Sequence, residues 1–191
     1  MNTLLLGYDT ETTGLPVWKE PSDSINQPHL VQLGAVLVDA ITQKVVASMD
    51  VIIKPEGWII PDEVSAIHDI TTEKALDVGI PEKLALEMFL ALRGNFERVA
   101  FNKTFDQRMI RIAAKRYLDE AAQDKWAIKE DHHCAMQMAR KDIGGKQPKL
   151  VDAYRHYTGN ELVDAHSAMA DTKACMDVYF GVLKSLSSKA A

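Results

Sequence analysis

Apolar positions come in short runs at the start of the chain and at helical spacing further on. Thr3 to Tyr8 is a short apolar run that meets Asp9, the pattern of a buried strand. Leu30 to Val38 and Val45 to Ile53 are two more runs rich in β-branched residues. The polar segment 39–44 joins them, which predicts an antiparallel pair. Pro61 to Asp69 carries apolar residues at helical spacing. Pro81 opens a clearer helix with Leu84, Leu86, Met88, Phe89, Leu90 and Leu92, closed by Gly94. Arg98 to Phe101 reads as a strand. Thr104 to Leu118 reads as a helix, with Thr104 placed to cap it and Met109, Ile110, Ile112 and Ala113 turned inward. Further helices are expected around Asp131–Arg140, Leu150–Tyr157 and Ser167–Leu186. Segments 17–28 and 142–149 read as loops, and 185–191 as a frayed tail. Three strands followed by alternating helices and shorter strands imply an α/β fold, a mixed sheet covered by helices. With no repeat, heptad or linker, the expectation is one domain over residues 1–191.

Composition narrows the class. The 191 residues are 47% hydrophobic and 26% charged, an ordinary globular balance. A domain of this size buries roughly 70% of its unfolded surface and needs no disulfides. Two cysteines, Cys134 and Cys175, suit a reducing compartment and a cytoplasmic location. No run approaches the ~20 apolar residues of a membrane span, and the first residues lack the basic region of a signal peptide. The net charge of −5 argues against wrapping nucleic acid by counterion displacement. Divalent cations held by carboxylates weaken that argument, because two of them would bring the sum close to neutral.

Three segments carry candidate chemistry. Asp9-Thr10-Glu11 closes the first strand, where residues i and i+2 share a face, so both carboxylates point the same way. Like charges that close are costly without a cation, and hard divalent ions suit oxygen ligands. About one Asp-x-Glu pair is expected by chance at this composition, so the spacing gains meaning only from its companions. His166 precedes the last helix and Asp171 lies in its first turns. Ala165, Ala168, Ala170 and Ala174 would let that helix approach the sheet closely. Asp106 follows a strand end and falls in a first helical turn, where the helix dipole also favours an acid.

Taken together these segments resemble a known family. Asp9-Thr10-Glu11-Thr12-Thr13-Gly14-Leu15 resembles the first motif of the DnaQ-like 3′–5′ exonucleases, Val99 to Asp106 the second, and Ala165 to Thr172 the third, in the subgroup with His rather than Tyr. Glu63-x4-His68-Asp69-Ile70-Thr71 resembles the family's His-Gly-Ile-Thr segment, and Lys149 to Gly159 its Lys-Leu helix. Phe101 stands where many relatives have His, Asp69 stands where Gly is usual, and the loop 17–28 is longer than in compact relatives.

The resemblance implies a ribonuclease-H-like fold with a mixed five-stranded sheet and helices on both faces. It implies two Mg²⁺ or Mn²⁺ ions held by Asp9, Glu11, Asp106 and Asp171, with Asp9 bridging and His166 as general base. Imidazole has an unperturbed pKa of about 6.5, suited to a base at neutral pH. Thr12, Gly14, Leu15, Glu63, His68, Asn102 and Phe105 would contact the terminal nucleotide. Lys103, Arg108, Lys146 and Lys149 are candidates for phosphate contact. The implied reaction removes 5′-mononucleotides from single-stranded or frayed 3′ ends. DNA is the first choice of substrate and small RNA the second. The competing readings are a non-catalytic subunit holding a DNA polymerase and a related endonuclease. His132, His133 and Cys134 lack a second ligand pair, so zinc is not expected there. Trp18, Trp58 and Trp126 are scattered and carry no usable signal.

Overall fold

The computed structural model describes residues 4–190. Three strands open the chain: β1 (Leu4–Thr12), β2 (Leu30–Asp39) and β3 (Val45–Lys54). Then come α1 (Asp62–His68), α2 (Thr72–Val78), β4 (Ile80–Pro81), α3 (Glu82–Arg93), β5 (Glu97–Ala100) and α4 (Lys103–Tyr117). The chain ends with α5 (Glu120–Ala127), β6 (His132–Cys134), α6 (Ala135–Ile143), α7 (Leu150–Thr158) and α8 (Ala168–Ala190). The sheet order is β4-β3-β2-β1-β5-β6. β2 pairs antiparallel with both β1 and β3, whereas β5 joins parallel to β1 and β6 parallel to β5. The sheet is therefore mixed, with six strands among the described residues rather than the expected five. The extra one is the two-residue β4, parallel to the end of β3.

Strand alternation divides the apolar residues between two faces. Leu6, Tyr8, Leu33 and Ala35 face a core with Leu86 and Phe89 of α3, Met109 and Ile112 of α4, and Trp126 of α5. Leu5, Val36, Val38 and Val99 face a second core with Ala139 of α6, Ala153 of α7, and Cys175, Val178 and Val182 of α8. α8 lies unusually close to the sheet because two strand residues lack side chains. A Cβ on Gly7 would sit 2.5 Å from Met176 Sδ, and one on Gly34 would sit 2.5 Å from the Ala168 carbonyl.

Several expectations change. α2 is capped by Thr71, whose Oγ1 accepts from Lys74 N, and α5 is capped by Asp119, whose carboxylate accepts from Ala122 N. Neither helix was expected. His132 to Cys134 form a strand against Arg98–Ala100 instead of a first helical turn. Thr104 sits inside α4, and Asn102 takes the capping position without a side-chain bond. The expected frayed tail is helical through Ala190, with Lys189 Nζ 2.6 Å from Asp142 Oδ1. Thr3 and Ala191, at the ends of two predicted segments, lie outside the described residues. Asp69 ends α1 in the left-handed conformation (φ 61°), the geometry glycine favours and aspartate tolerates better than most residues.

The 13–29 segment is compact. Thr13 N donates to His29 O and His29 N to Thr13 Oγ1, which closes its base. Inside it Gln27 is buried and bonds the backbone of Val17, Glu20 and Pro21. Below it the buried Glu82 carboxylate accepts from Leu30 N at 2.9 Å and Tyr117 Oη at 3.0 Å, and lies 2.8 Å from His29 Nδ1 and 3.6 Å from Arg116 Nη1. Arg116 also donates to the carbonyls of Gln27 and Pro28. No described helix is long and apolar enough to cross a membrane.

Candidate active site

Asp9 and Glu11 lie in the last four residues of β1, which runs on to Thr12. In the antiparallel register Asp9 faces Gly34 and Glu11 faces Gln32. These four residues share the sheet face on which α8 packs. Gln32 is the lone polar side chain in the apolar run 30–38. Its Oε1 accepts from Ala168 N at 3.0 Å, satisfying an N–H at the start of α8, and its Nε2 donates to Asp50 Oδ1. Thr172 Oγ1 donates to Gly34 O at 3.1 Å. Two side-chain bonds and one missing Cβ therefore set the first turn of α8 against β2, and that turn carries Asp171.

The result is a cluster. Carboxylate oxygens of Asp9, Glu11 and Asp171 lie within 4.8 Å of one another. Asp171 Oδ2 accepts from His166 N at 3.3 Å, whereas Asp171 Oδ1 is buried with no hydrogen-bond partner. Asp106 is adjacent but belongs to a different arrangement. It is buried, and its Oδ1 accepts from Thr10 Oγ1 at 2.9 Å. Thr10 and Gln32 were not among the expected site residues.

The electrostatics follow from burial and crowding. Burial, then the carboxylates of Asp106, Glu11 and Asp171, hold Asp9 well above the ordinary carboxylate range. Burial, then Asp171 and Asp106, push Glu11 up to about 8. Burial pushes Asp106 up to about 7 against the hydrogen bonds from Thr10. Burial raises Asp171 against the His166 N–H. A cluster of this kind either takes up protons or takes up a cation. The orphaned Asp171 Oδ1 and the all-oxygen donor set fit a hard divalent cation.

His166 is exposed and occupies the left-handed region (φ 70°), as does Asp164 (φ 57°). It lines a cleft of about 380 Å³ with Lys149, Leu150, Leu162 and Asp171. His68 is buried. Its Nδ1 accepts from Ile70 N, and its Nε2 has no partner. Burial lowers its pKa, His166 adds to that shift, and the backbone of Thr12 opposes it. Thr12 bonds Gly14 O through its hydroxyl, and Leu15 is 77% exposed. Glu63 and Asn102 are exposed, and Phe105 is half-buried, packing against the first core. Lys103 is engaged by the carbonyls of Lys129 and His132, and Arg108 by Glu20 O. Trp126 is a core residue whose Nε1 donates to Gln107 O.

The family model described as RNase_T, Exonuclease, matches residues 6–179. No curated protein matches the chain. Among solved structures, E. coli Exonuclease I in complex with a dT13 oligonucleotide is similar at 20% identity and a TM-score of 0.71, over 95% of this chain and 41% of that one. Exonuclease I from Methylocaldum szegediense is similar at 18% identity and a TM-score of 0.75, over 95% and 40%. The zinc-bound form of the E. coli ExoI–ssDNA complex is similar at 19% identity and a TM-score of 0.69, over 99% and 42%. The chain thus spans about two fifths of the length of the solved structures it resembles.

Proposed function

This chain belongs to the Exonuclease (RNase_T) family, and from that premise we propose that it hydrolyses single-stranded nucleic acid from the 3′ end, releasing 5′-mononucleotides. The observation that carries the reading is the buried, partnerless Asp171 Oδ1 on a carboxylate clustered with those of Asp9 and Glu11. DNA is the substrate proposed. The E. coli neighbours were solved with single-stranded DNA, which supports that choice.

Asp9, Glu11 and Asp171 would hold divalent cations with Asp106 beside them, and Mg²⁺ or Mn²⁺ is the proposed identity. When bound, such ions supply Lewis acidity toward the phosphodiester and make a nearby water more acidic. The side chains do the rest. His166, exposed beside Asp171, takes the proton from the attacking water. The new bond joins that water's oxygen to phosphorus, and the bond from phosphorus to the 3′ oxygen breaks. The freed nucleotide keeps its 5′-phosphate, and the departing 3′ oxygen takes a proton from solvent water, so the shortened strand regains a 3′ hydroxyl. Thr10 holds the Asp106 carboxylate in one orientation, and Gln32 fixes the helix end beneath Asp171. The Thr12–Leu15 backbone, Glu63, His68, Asn102 and Phe105 would hold the terminal nucleotide.

Incubation with 3′-labelled single-stranded DNA and RNA, with Mg²⁺ or with chelator, tests the reading. Metal-dependent early release of labelled mononucleotide is expected. Internal cuts would favour an endonuclease, and no products would favour a non-catalytic role.

A further inference from the structure

The long loop between β1 and β2 has little part in the proposal above beyond its first residues, yet it is built more tightly than a connector requires. Its base is closed by Thr13 and His29, and the buried Gln27 fills its centre with bonds to its own backbone. Two arginines from α4 clamp it from below: Arg108 donates to Glu20 O at 2.6 Å, and Arg116 to the carbonyls of Gln27 and Pro28. A loop this well tied would ordinarily turn its apolar side chains inward. This one leaves Leu15 77%, Trp18 53% and Ile25 94% exposed. Apolar groups held outward on a rigid support mark a binding surface.

Its neighbours indicate what binds. The Arg108 guanidinium carbon lies 6.0 Å from the Trp18 ring centre, at the outer limit of a cation–π contact. Arg111 lies one helical turn beyond Arg108 on α4, so the two residues are neighbours on the helix surface. Arg108, Arg111 and Lys115 fall at i, i+3 and i+7 on α4, one stripe about 10 Å long. α4 starts at the acidic cluster, with Asp106 in its first turn, so the stripe leads away from it. An exposed indole beside a line of cations, on a chain of net charge −5, is the chemistry that takes a base on a π-face and phosphates alongside.

We infer that the 13–29 loop and the Arg108–Arg111–Lys115 face of α4 form a second binding site for single-stranded nucleic acid, with Trp18 stacking a base upstream of the terminal nucleotide. The inference rests on the proposed 3′–5′ exonuclease reading for its direction. On it, the enlarged loop serves to retain the strand after each cleavage. Equilibrium binding of fluorescein-labelled dT12 and dT2 in the presence of chelator tests it without cleavage. Trp18→Ala should weaken dT12 binding roughly 10-fold and leave dT2 unchanged, with Trp18→Phe close to the parent. Arg111→Gln with Lys115→Gln should lower the log–log salt slope for dT12 by about 1.4, about 0.7 per lost phosphate contact. Parental dT12 affinity in both variants would overturn the inference, as would equal losses on dT12 and dT2. Failure of the parent protein to cleave in Mg²⁺ sinks the nuclease reading and leaves this binding result standing on its own.

Discussion

Gly34 lies directly across the strand pair from Asp9, and the side chain it lacks is the space the Ala168 carbonyl occupies. The closeness of Asp171 to Asp9 depends on that gap. Gly34→Ala would place a Cβ 2.5 Å from backbone atoms that have nowhere to move. We expect a loss of about 1–3 kcal/mol in stability by denaturant titration. A fall in metal-dependent cleavage should accompany it as α8 is pushed off β2. A variant as stable and active as the parent would contradict the packing argument.

In the proposed mechanism His166 handles a proton and does not hold the cation. His166→Ala should lose at least about 10²-fold in rate, while Mn²⁺ binding by calorimetry survives. Unchanged rates would move the role of base to another group.

Asp9 is central to the carboxylate set, so Asp9→Asn should lower Mn²⁺ affinity and cleavage together. The expected loss in affinity exceeds about 100-fold, the upper range for removing even an outer-shell partner. Cleavage retained at parental Mg²⁺ concentrations would contradict the assignment.

The acids also set a pH dependence. Glu11 goes from an ordinary 4.5 to about 8 in the folded chain, and Asp106 from 3.8 to about 7. Groups whose folded pKa is raised bind more protons when folded. Their contribution to stability is whole below the unfolded values and is lost as pH climbs through the folded ones. In chelator, the melting temperature should therefore fall between about pH 5 and pH 8.5, and added Mn²⁺ should restore more at pH 8 than at pH 6. Glu11→Gln with Asp106→Asn should flatten the metal-free slope. A metal-free melting temperature that climbs over this range would contradict the burial account.

The three leading strands and the helices after Pro81 and before Tyr117 were legible because apolar runs carry local signals, whereas the candidate acids stood out only through the joint resemblance of three segments, each of whose spacings is common by chance. What was not legible depends on partners distant in sequence. β6 is a strand only because Arg98–Ala100 lies beside it, and its residues alone read as a helix start. α2 and α5 are short, each with a single buried side chain and little apolar periodicity, although Thr71 and Asp119 were available as cap signals. Trp126 looked incidental because its neighbours Tyr8, Phe89 and Arg98 come from three other elements. Gln32 was the most readable omission. A lone amide in the apolar run 30–38 needs partners, and here those are a helix end and Asp50.

Glu82 sits at the foot of α3 and touches none of the acidic cluster, yet it joins His29, Leu30, Arg116 and Tyr117. Through it the root of the long loop and the far end of the helix that bears Asp106 are riveted to the same carboxylate. Loss of that carboxylate would therefore strip Leu30 N and Tyr117 Oη of their acceptor and loosen the root of the loop from the C-terminal end of α4.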